Sequence, residues 1–142
     1  KKYKLAYVED PFHENDWMSF RELKRKANCL IVADDLTATN PVRMNKAVNE
    51  NACSGVIIKP DQVGSMSKTL STIEIARKSK IKTVVSHRSG DTCDSFISDL
   101  AVGTEADLIK CGISGGERIA KLNRLIEIWH SMKKPSMKKF KM

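Results

Sequence analysis

The sequence predicts an α/β fold with a parallel sheet, an incomplete (β/α) barrel of five units, on the strength of three observations. Short apolar runs start at residues 5, 30, 56, 83 and 108, spaced 25 to 27 apart. After each run come a polar loop and a stretch of helical periodicity, the alternation that builds parallel sheets through right-handed crossovers. An ionisable residue follows every run, at the strand end where barrel enzymes carry their chemistry.

In the first unit Leu5-Ala6-Tyr7-Val8 precedes Asp16, a helix cap for Trp17, Phe20, Leu23 and Ala27 on one stripe. The second joins Leu30-Ile31-Val32-Ala33 to Asn40 as cap and Pro41 at the first helical position. In the third, Val56-Ile57-Ile58 leads to Ser67 and a helix with Leu70, Ile73 and Ala76 inward. The fourth has Thr83-Val84-Val85, then Asp94 or Ser95 opening a helix with Phe96, Ile97, Leu100 and Ala101. The fifth has Leu108-Ile109, then Gly116 leading into Ile119, Leu122, Leu125, Ile126 and Trp129. The aromatic residues of these helices are expected in the core. A closed barrel needs about 200 to 250 residues, so the 142 present leave two edge strands, a liability that predicts missing strands or a partner chain. No Gly-x-Gly-x-x-Gly opens the first helix and no Walker-type lysine follows a glycine loop, which removes the main support for a nucleotide-binding fold.

At 41% hydrophobic and 30% charged residues, the composition excludes disordered, collagenous and membrane-spanning classes. The chain reads as one partial barrel domain, 1–132, followed by a basic tail, 133–142, expected to be disordered. It opens Lys1-Lys2-Tyr3 without an apolar leader, as expected of an intracellular, cytoplasmic product whose true start lies elsewhere. The net charge is +8, but Lys133, Lys134, Lys138, Lys139 and Lys141 fall in the last ten residues, leaving the body at +3. Such a run is more often solvated than bound to phosphates, so nucleic acid is not favoured as a partner, nor a membrane. Cys29, Cys53, Cys93 and Cys111 show no C-x-x-C and no zinc-finger histidine, which points to a reducing compartment and ordinary buried thiols.

The residues that follow the runs are Glu9-Asp10-Pro11, Asp34-Asp35-Leu36, Lys59-Pro60-Asp61, Ser86-His87-Arg88-Ser89 and Lys110-Cys111-Gly112. One such residue alone is a solvated loop group; five in register compose a site. Glu9 and Asp34, on adjacent strands about 5 Å apart, present hard oxygen ligands to a Mg²⁺ ion, with a third ligand owed by substrate, water or an absent strand. Lys59 is a general base if a divalent cation and the second ammonium of Lys110 favour its losing a proton, or else a lysine paired with Asp34 or Asp35. Arg88 and Ser89 offer a donor fork and a hydroxyl suited to a phosphate, and Gly90 lets the backbone approach. His87 contacts the same ligand or bridges loops. The turn Gly112-Ile113-Ser114-Gly115-Gly116 is a second, weaker anion signal. The constellation asks for an anionic, phosphorylated, metal-chelating substrate that loses a proton.

At these residues the chain resembles enolase, specifically the C-terminal five βα units of its TIM barrel. Val8-Glu9-Asp10-Pro11-Phe12 with Asp16-Trp17, and Val32 through Pro41, look like the family's two metal-ligand motifs. Ile58-Lys59 with Gln62-Val63-Gly64 is similar to its catalytic-lysine strand. Val85 through Gly90 with Phe96 through Gly103 resembles the substrate loop, and Ile109-Lys110 with Gly112 and Gly116 through Lys121 the last strand and helix. The resemblance covers Tyr3 to Trp129. It implies reversible dehydration of 2-phosphoglycerate to phosphoenolpyruvate in glycolysis. Glu9 and Asp34 would hold Mg²⁺, Lys59 would take the proton at carbon 2, Lys110 would bind the carboxylate side, and Arg88 with Ser89 the phosphate. The lid domain, the third metal carboxylate and the acid-side glutamates have no counterpart here, so the chain by itself is expected to be nearly inactive. Asp61 stands where the family usually has Asn, adding a negative charge two residues from Lys59 that would hold its proton more tightly.

The first reading is therefore a subunit or fragment of a phosphopyruvate hydratase, completed in cis or in trans by an N-terminal part, with an oligomer expected. The rival is a non-catalytic enolase-derived binding module that uses the anion site or the lysine tail for RNA or a larger assembly. A dehydratase or racemase of the wider superfamily fits less well, because the phosphate loop would lack a purpose.

Overall fold

Each apolar run of the sequence becomes a parallel strand followed by a helix. The computed structural model describes residues 3–139. Its elements are β1 (Tyr7–Glu9), α1 (Trp17–Lys26), β2 (Leu30–Ala33), α2 (Pro41–Asn49), β3 (Gly55–Ile58), α3 (Pro60–Val63), α4 (Met66–Lys78), β4 (Lys82–Ser86), α5 (Phe96–Gly103), β5 (Leu108–Lys110) and α6 (Gly116–Ser131). The strand order is β1-β2-β3-β4-β5, and β1–β2, β2–β3 and β4–β5 pair in parallel. The predicted α/β fold is the one adopted. The chain forms two units, one through Thr83 and one from Val84.

In the first unit the side chains of Ile31, Val32, Ala33, Val56, Ile57 and Ile58 have no exposed surface, as expected of parallel strands covered on both faces. Gly55 lies opposite Val32, and a Cβ there would stand 2.9 Å from Val32 Cγ2, so β3 can start this close to β2 only without a side chain. Phe20, fully buried, meets Phe12 edge-on with centroids 5.6 Å apart. Two of the predicted caps form. Asp16 accepts the Ser19 N–H at 3.0 Å, and Asn40 Oδ1 accepts the N–H groups of Val42 and Arg43 at 2.9 and 3.3 Å. Asn40→Ala is expected to cost about 1 kcal/mol, read as a lower urea midpoint at unchanged slope.

The third helix differs from expectation. Pro60 opens a short turn of helix, α3, that Gly64 ends at φ 66°. The main helix then starts two residues earlier than predicted, capped by Ser65, while the Ser67 hydroxyl bonds that of Ser65 at 3.0 Å. Its inner stripe is Thr69, Thr72, Ile73 and Ala76, and Leu70 is exposed. The reason is polar: Thr72 Oγ1 reaches inward to donate to the Thr39 carbonyl at 2.9 Å. Leu70, about 100° round the helix from Thr69, is turned off that stripe.

In the second unit Val84 and Val85 are buried. Ser95 precedes α5 without a side-chain cap bond; Asp94 instead accepts the Phe96 N–H at 2.8 Å. The expectation that the helix aromatics are core fails for Phe96 and Trp129, and Ile119 and Ile126 are exposed as well. On α6 the face turned to the described residues is centred on Lys121, its one fully buried side chain. Ile119, Ile126 and Trp129 form a stripe elsewhere, which the described residues do not bury. Trp129 rims an apolar groove with Val102, Leu108, Ile109 and Met132. All four cysteines are free, but Cys93 is exposed rather than buried. No described helix is long and apolar enough to cross a membrane. Of the basic tail, Lys138 donates to the Glu105 carbonyl at 2.9 Å and pairs with Asp107 at 3.0 Å. Lys141, Phe140 and Met142, like Lys1 and Lys2, lie outside the described residues.

Candidate active site

In the first unit Glu9 ends β1 while Asp34 and Lys59 directly follow β2 and β3, and the turns around them aim the three side chains. Asp10 has left-handed backbone, φ 39°, and its carboxylate accepts the N–H groups of Asp34 at 2.8 Å and Asp35 at 2.7 Å. The end of β2 is thus held by the end of β1. Tyr7 donates its hydroxyl to Glu9 Oε2 at 2.6 Å. Burial, that bond and the carboxylates of Glu9, Asp34 and Asp10 push the phenol well up, so it stays a donor. Lys59 Nζ donates to Asp34 Oδ2, with the two side chains 13% and 11% exposed. This is the pairing that the sequence left open beside the base role. The Lys59 N–H donates to Thr39 Oγ1 at 2.9 Å. Ala38 and Thr39 sit at φ 47° and 53°, conformations costly to side-chain-bearing residues, above all a β-branched one.

Asp34 decides whether Mg²⁺ fits. Its Oδ1 is buried with no hydrogen-bond partner, an arrangement that costs free energy unless a donor or a cation fills it. A hard, anionic oxygen is the donor Mg²⁺ takes. The tightest acidic group among the described residues is Asp10, Asp34 and Asp35, with ligand atoms within 4.8 Å of one another. Both Asp10 oxygens already accept backbone N–H groups, however, and Asp35 Oδ1 accepts from Gln62 at 3.3 Å. Asp10 is therefore a brace, and burial pushes its carboxyl up against the lowering effect of those N–H groups. The residues fit a cation at Asp34, and Glu9 on the adjoining strand lies opposite Val32, two residues before Asp34.

In the second unit β4 runs into His87, Arg88 and Ser89, with Arg88 and Ser89 exposed. Lys110 ends β5 opposite Ser86, and its carbonyl accepts the His87 N–H at 3.0 Å. Arg118, from the first turn of α6, donates to His87 Nδ1, to the Arg88 carbonyl at 2.9 Å and to the Ser89 carbonyl at 3.2 Å. Burial, followed by the Arg118 charge, holds the His87 imidazole below its ordinary range. A Cβ on Gly90 would meet nothing within 4 Å among the described residues. The turn before α6 carries its own anion: the Glu117 carboxylate lies 2.6 Å from where a Gly115 Cβ would be.

Sequence reasoning gave no role to Asp10, Thr39, Arg43, Arg118 or Lys121. Arg43 donates to the Leu36 carbonyl at 2.7 Å and the Glu14 carbonyl at 2.6 Å, and lies 5.3 Å over the Trp17 ring, joining the loops after β1 and β2. Arg43 and Arg118 are each the third residue of a helix that follows a strand, the position from which a long side chain reaches back over its loop. That placement was the readable signal.

Residues 1–139 match the family described as "Enolase, C-terminal TIM barrel domain". The chain is 51% identical over 128 residues to the enolase of Sulfolobus acidocaldarius, covering 89% of this chain and 31% of that protein. It is 46% identical over 136 residues to the enolase of Archaeoglobus fulgidus, with 96% and 34% covered, and 46% identical over 141 residues to that of Pelagibacter ubique, with 97% and 34% covered. The chain thus spans about a third of the length of these curated relatives.

Proposed function

The chain belongs to the enolase family, and from that premise we propose that it supplies the C-terminal part of the barrel of a cytoplasmic phosphopyruvate hydratase. That enzyme removes water from 2-phosphoglycerate to give phosphoenolpyruvate, reversibly, in glycolysis. The observation that carries the reading is the buried, unpartnered Asp34 Oδ1 beside the ion-paired Lys59: an acceptor open to a cation next to the side chain that would handle the proton.

A proton next to an ionised carboxylate is scarcely acidic, because its removal places a second negative charge on that group. Lys59, in its neutral form, takes the proton from carbon 2 and becomes an ammonium, its stem fixed by burial and by the backbone bond to Thr39. Glu9 and Asp34 would hold Mg²⁺, which would supply positive charge to the substrate carboxylate as that second charge develops. Lys110 binds the same carboxylate side. Arg88 and Ser89 take the phosphate, with His87 against the same ligand. The carbon–oxygen bond at carbon 3 then breaks, and the leaving hydroxide takes a proton from the N-terminal part of the enzyme. That part, in cis or in trans, is the principal partner.

The test is ultraviolet absorbance growth from phosphoenolpyruvate, with 2-phosphoglycerate as substrate and the protein expressed at its full natural length. Chelation of divalent cations is expected to abolish the rate and added Mg²⁺ to restore it. A protein inactive with Mg²⁺ and every native partner present would sink the catalytic reading and leave the binding-module alternative.

A further inference from the structure

The loop after β4 has an outer frame that the proposed reaction does not itself use. Arg118 and Lys121 lie one turn apart on α6. Arg118 donates to His87 Nδ1 and to the carbonyls of Arg88 and Ser89. Lys121, 1% exposed, donates to the Thr92 carbonyl and pairs with Asp91 Oδ1 at 3.1 Å. Asp91 in turn accepts the Thr92 N–H at 2.8 Å and the backbone N–H of Arg88. Every residue from His87 to Thr92 except Gly90 is therefore bonded to one of two cations on α6, while the side chains of Arg88 and Ser89 stay exposed. Gly112 packs beside Arg118 with left-handed backbone, φ 70°, a conformation that favours glycine.

We propose that Arg118 and Lys121 are positioning residues, a two-cation clamp that presets the 87–92 loop as a phosphate cradle and holds His87 as a neutral hydrogen-bond donor. The inference rests on the reading of that loop as the phosphate site. Arginine has donors and no acceptor, so a bond from Arg118 to Nδ1 requires a lone pair there. The ring is then neutral, with its proton on Nε2 and available to an anion. The charged groups facing His87 are Arg118 and Lys121 from α6, Lys110 from β5 and Asp91 from its own loop. Because the loop's carbonyls are tied back to α6, the phosphate meets donors already arranged, and the cost of ordering them is met in folding rather than in binding.

The test uses Arg118→Gln and Arg118→Lys in the protein at its full natural length, beside Arg88→Gln as a direct-contact control. Three readouts are taken: affinity for inorganic phosphate, the pH midpoint of His87 by NMR of its ring carbons, and kcat and KM for 2-phosphoglycerate. For Arg118→Gln, phosphate affinity is expected to fall about tenfold, the His87 midpoint to move up as a neighbouring positive charge is lost, and KM to rise more than kcat falls. Arg118→Lys keeps the charge but not the fork, so it is expected to weaken phosphate binding while moving the His87 midpoint less. A folded Arg118→Gln protein with unchanged phosphate affinity and an unmoved His87 overturns the clamp. If the Gln variant does not fold, unaltered phosphate affinity in Arg118→Lys overturns it instead. Wild-type protein that binds phosphate through Arg88 yet forms no phosphoenolpyruvate overturns the dehydration reading alone, and a shifted His87 midpoint in the variant then still supports the clamp.

Discussion

Lys59→Arg is expected to lower phosphoenolpyruvate formation by about 10²- to 10⁴-fold, the usual range for loss of a general base, with folding little changed. The choice of arginine separates two roles that Lys59 combines. Its ammonium pairs with Asp34 in a region where both side chains are almost covered, so Lys59→Ala removes a base and also strands a buried carboxylate, at a cost of several kcal/mol. Arginine preserves the ion pair but does not give up its proton in a protein. Steady-state rates and urea midpoints of both variants, with and without Mg²⁺, resolve the matter. Loss of rate in both, with loss of stability confined to alanine, assigns the base to Lys59. An arginine variant close to wild type in rate would show that the lysine serves only as a counter-charge.

Lys121→Met is expected to destabilise the protein by about 3 kcal/mol, at the low end for breaking a buried pair because Asp91 keeps some contact with water. The thioether fills most of the lysine's volume but leaves the Asp91 carboxylate and the Thr92 carbonyl without their donor. Asp91→Asn in the same background should recover part of the loss. The pH dependence has a definite sign. Burial pushes the Asp91 carboxyl up, but the bonds from Lys121 and from backbone N–H groups outweigh it and hold the group below its usual range. A carboxyl depressed in the folded state contributes stability that is present above its unfolded value, about 3.9, and lost as pH falls through the folded one. The gap between wild type and Lys121→Met should therefore be full near neutrality and narrow below about pH 4. Urea melts at pH 7 and pH 3.5 with an unchanged gap would assign the effect to packing rather than charge.

The strands, their spacing and two of the helix caps were legible because each rests on a few neighbouring residues: an apolar run, an Asp or Asn before a helix, a Pro at its first position. The strand-end groups Glu9, Asp34, Lys59, His87, Arg88 and Lys110 were legible for the same reason, since a strand delivers the next side chain to a known end of the sheet. What stayed hidden is everything whose meaning depends on a distant partner. Asp10 has no role legible in its neighbours, and only in the fold do its oxygens hold the N–H groups of Asp34 and Asp35. Thr39 looks like a loop residue until it bonds the backbone of Lys59. Lys121 is among the largest fully buried side chains, which nothing in its neighbouring residues signals. Amphipathic spacing marked Ile119, Ile126 and Trp129 as apolar-face residues, but periodicity says nothing about which surface arrives to cover a face.

The clamp also dictates an order of events in time. Arg118 is 31 residues beyond His87, and Lys121 is 29 beyond Thr92, so none of these bonds exists until about thirty more residues have left the ribosome and α6 has wound. The braces around Asp34 close over 24 and 25 residues from its own side of the chain, and all their residues precede the His87 loop. A nascent chain thus carries the residues that brace Asp34 while the 87–92 loop still lacks its two cations. A pause or truncation ahead of α6 would leave the braces around Asp34 able to form and the 87–92 loop without Arg118 and Lys121.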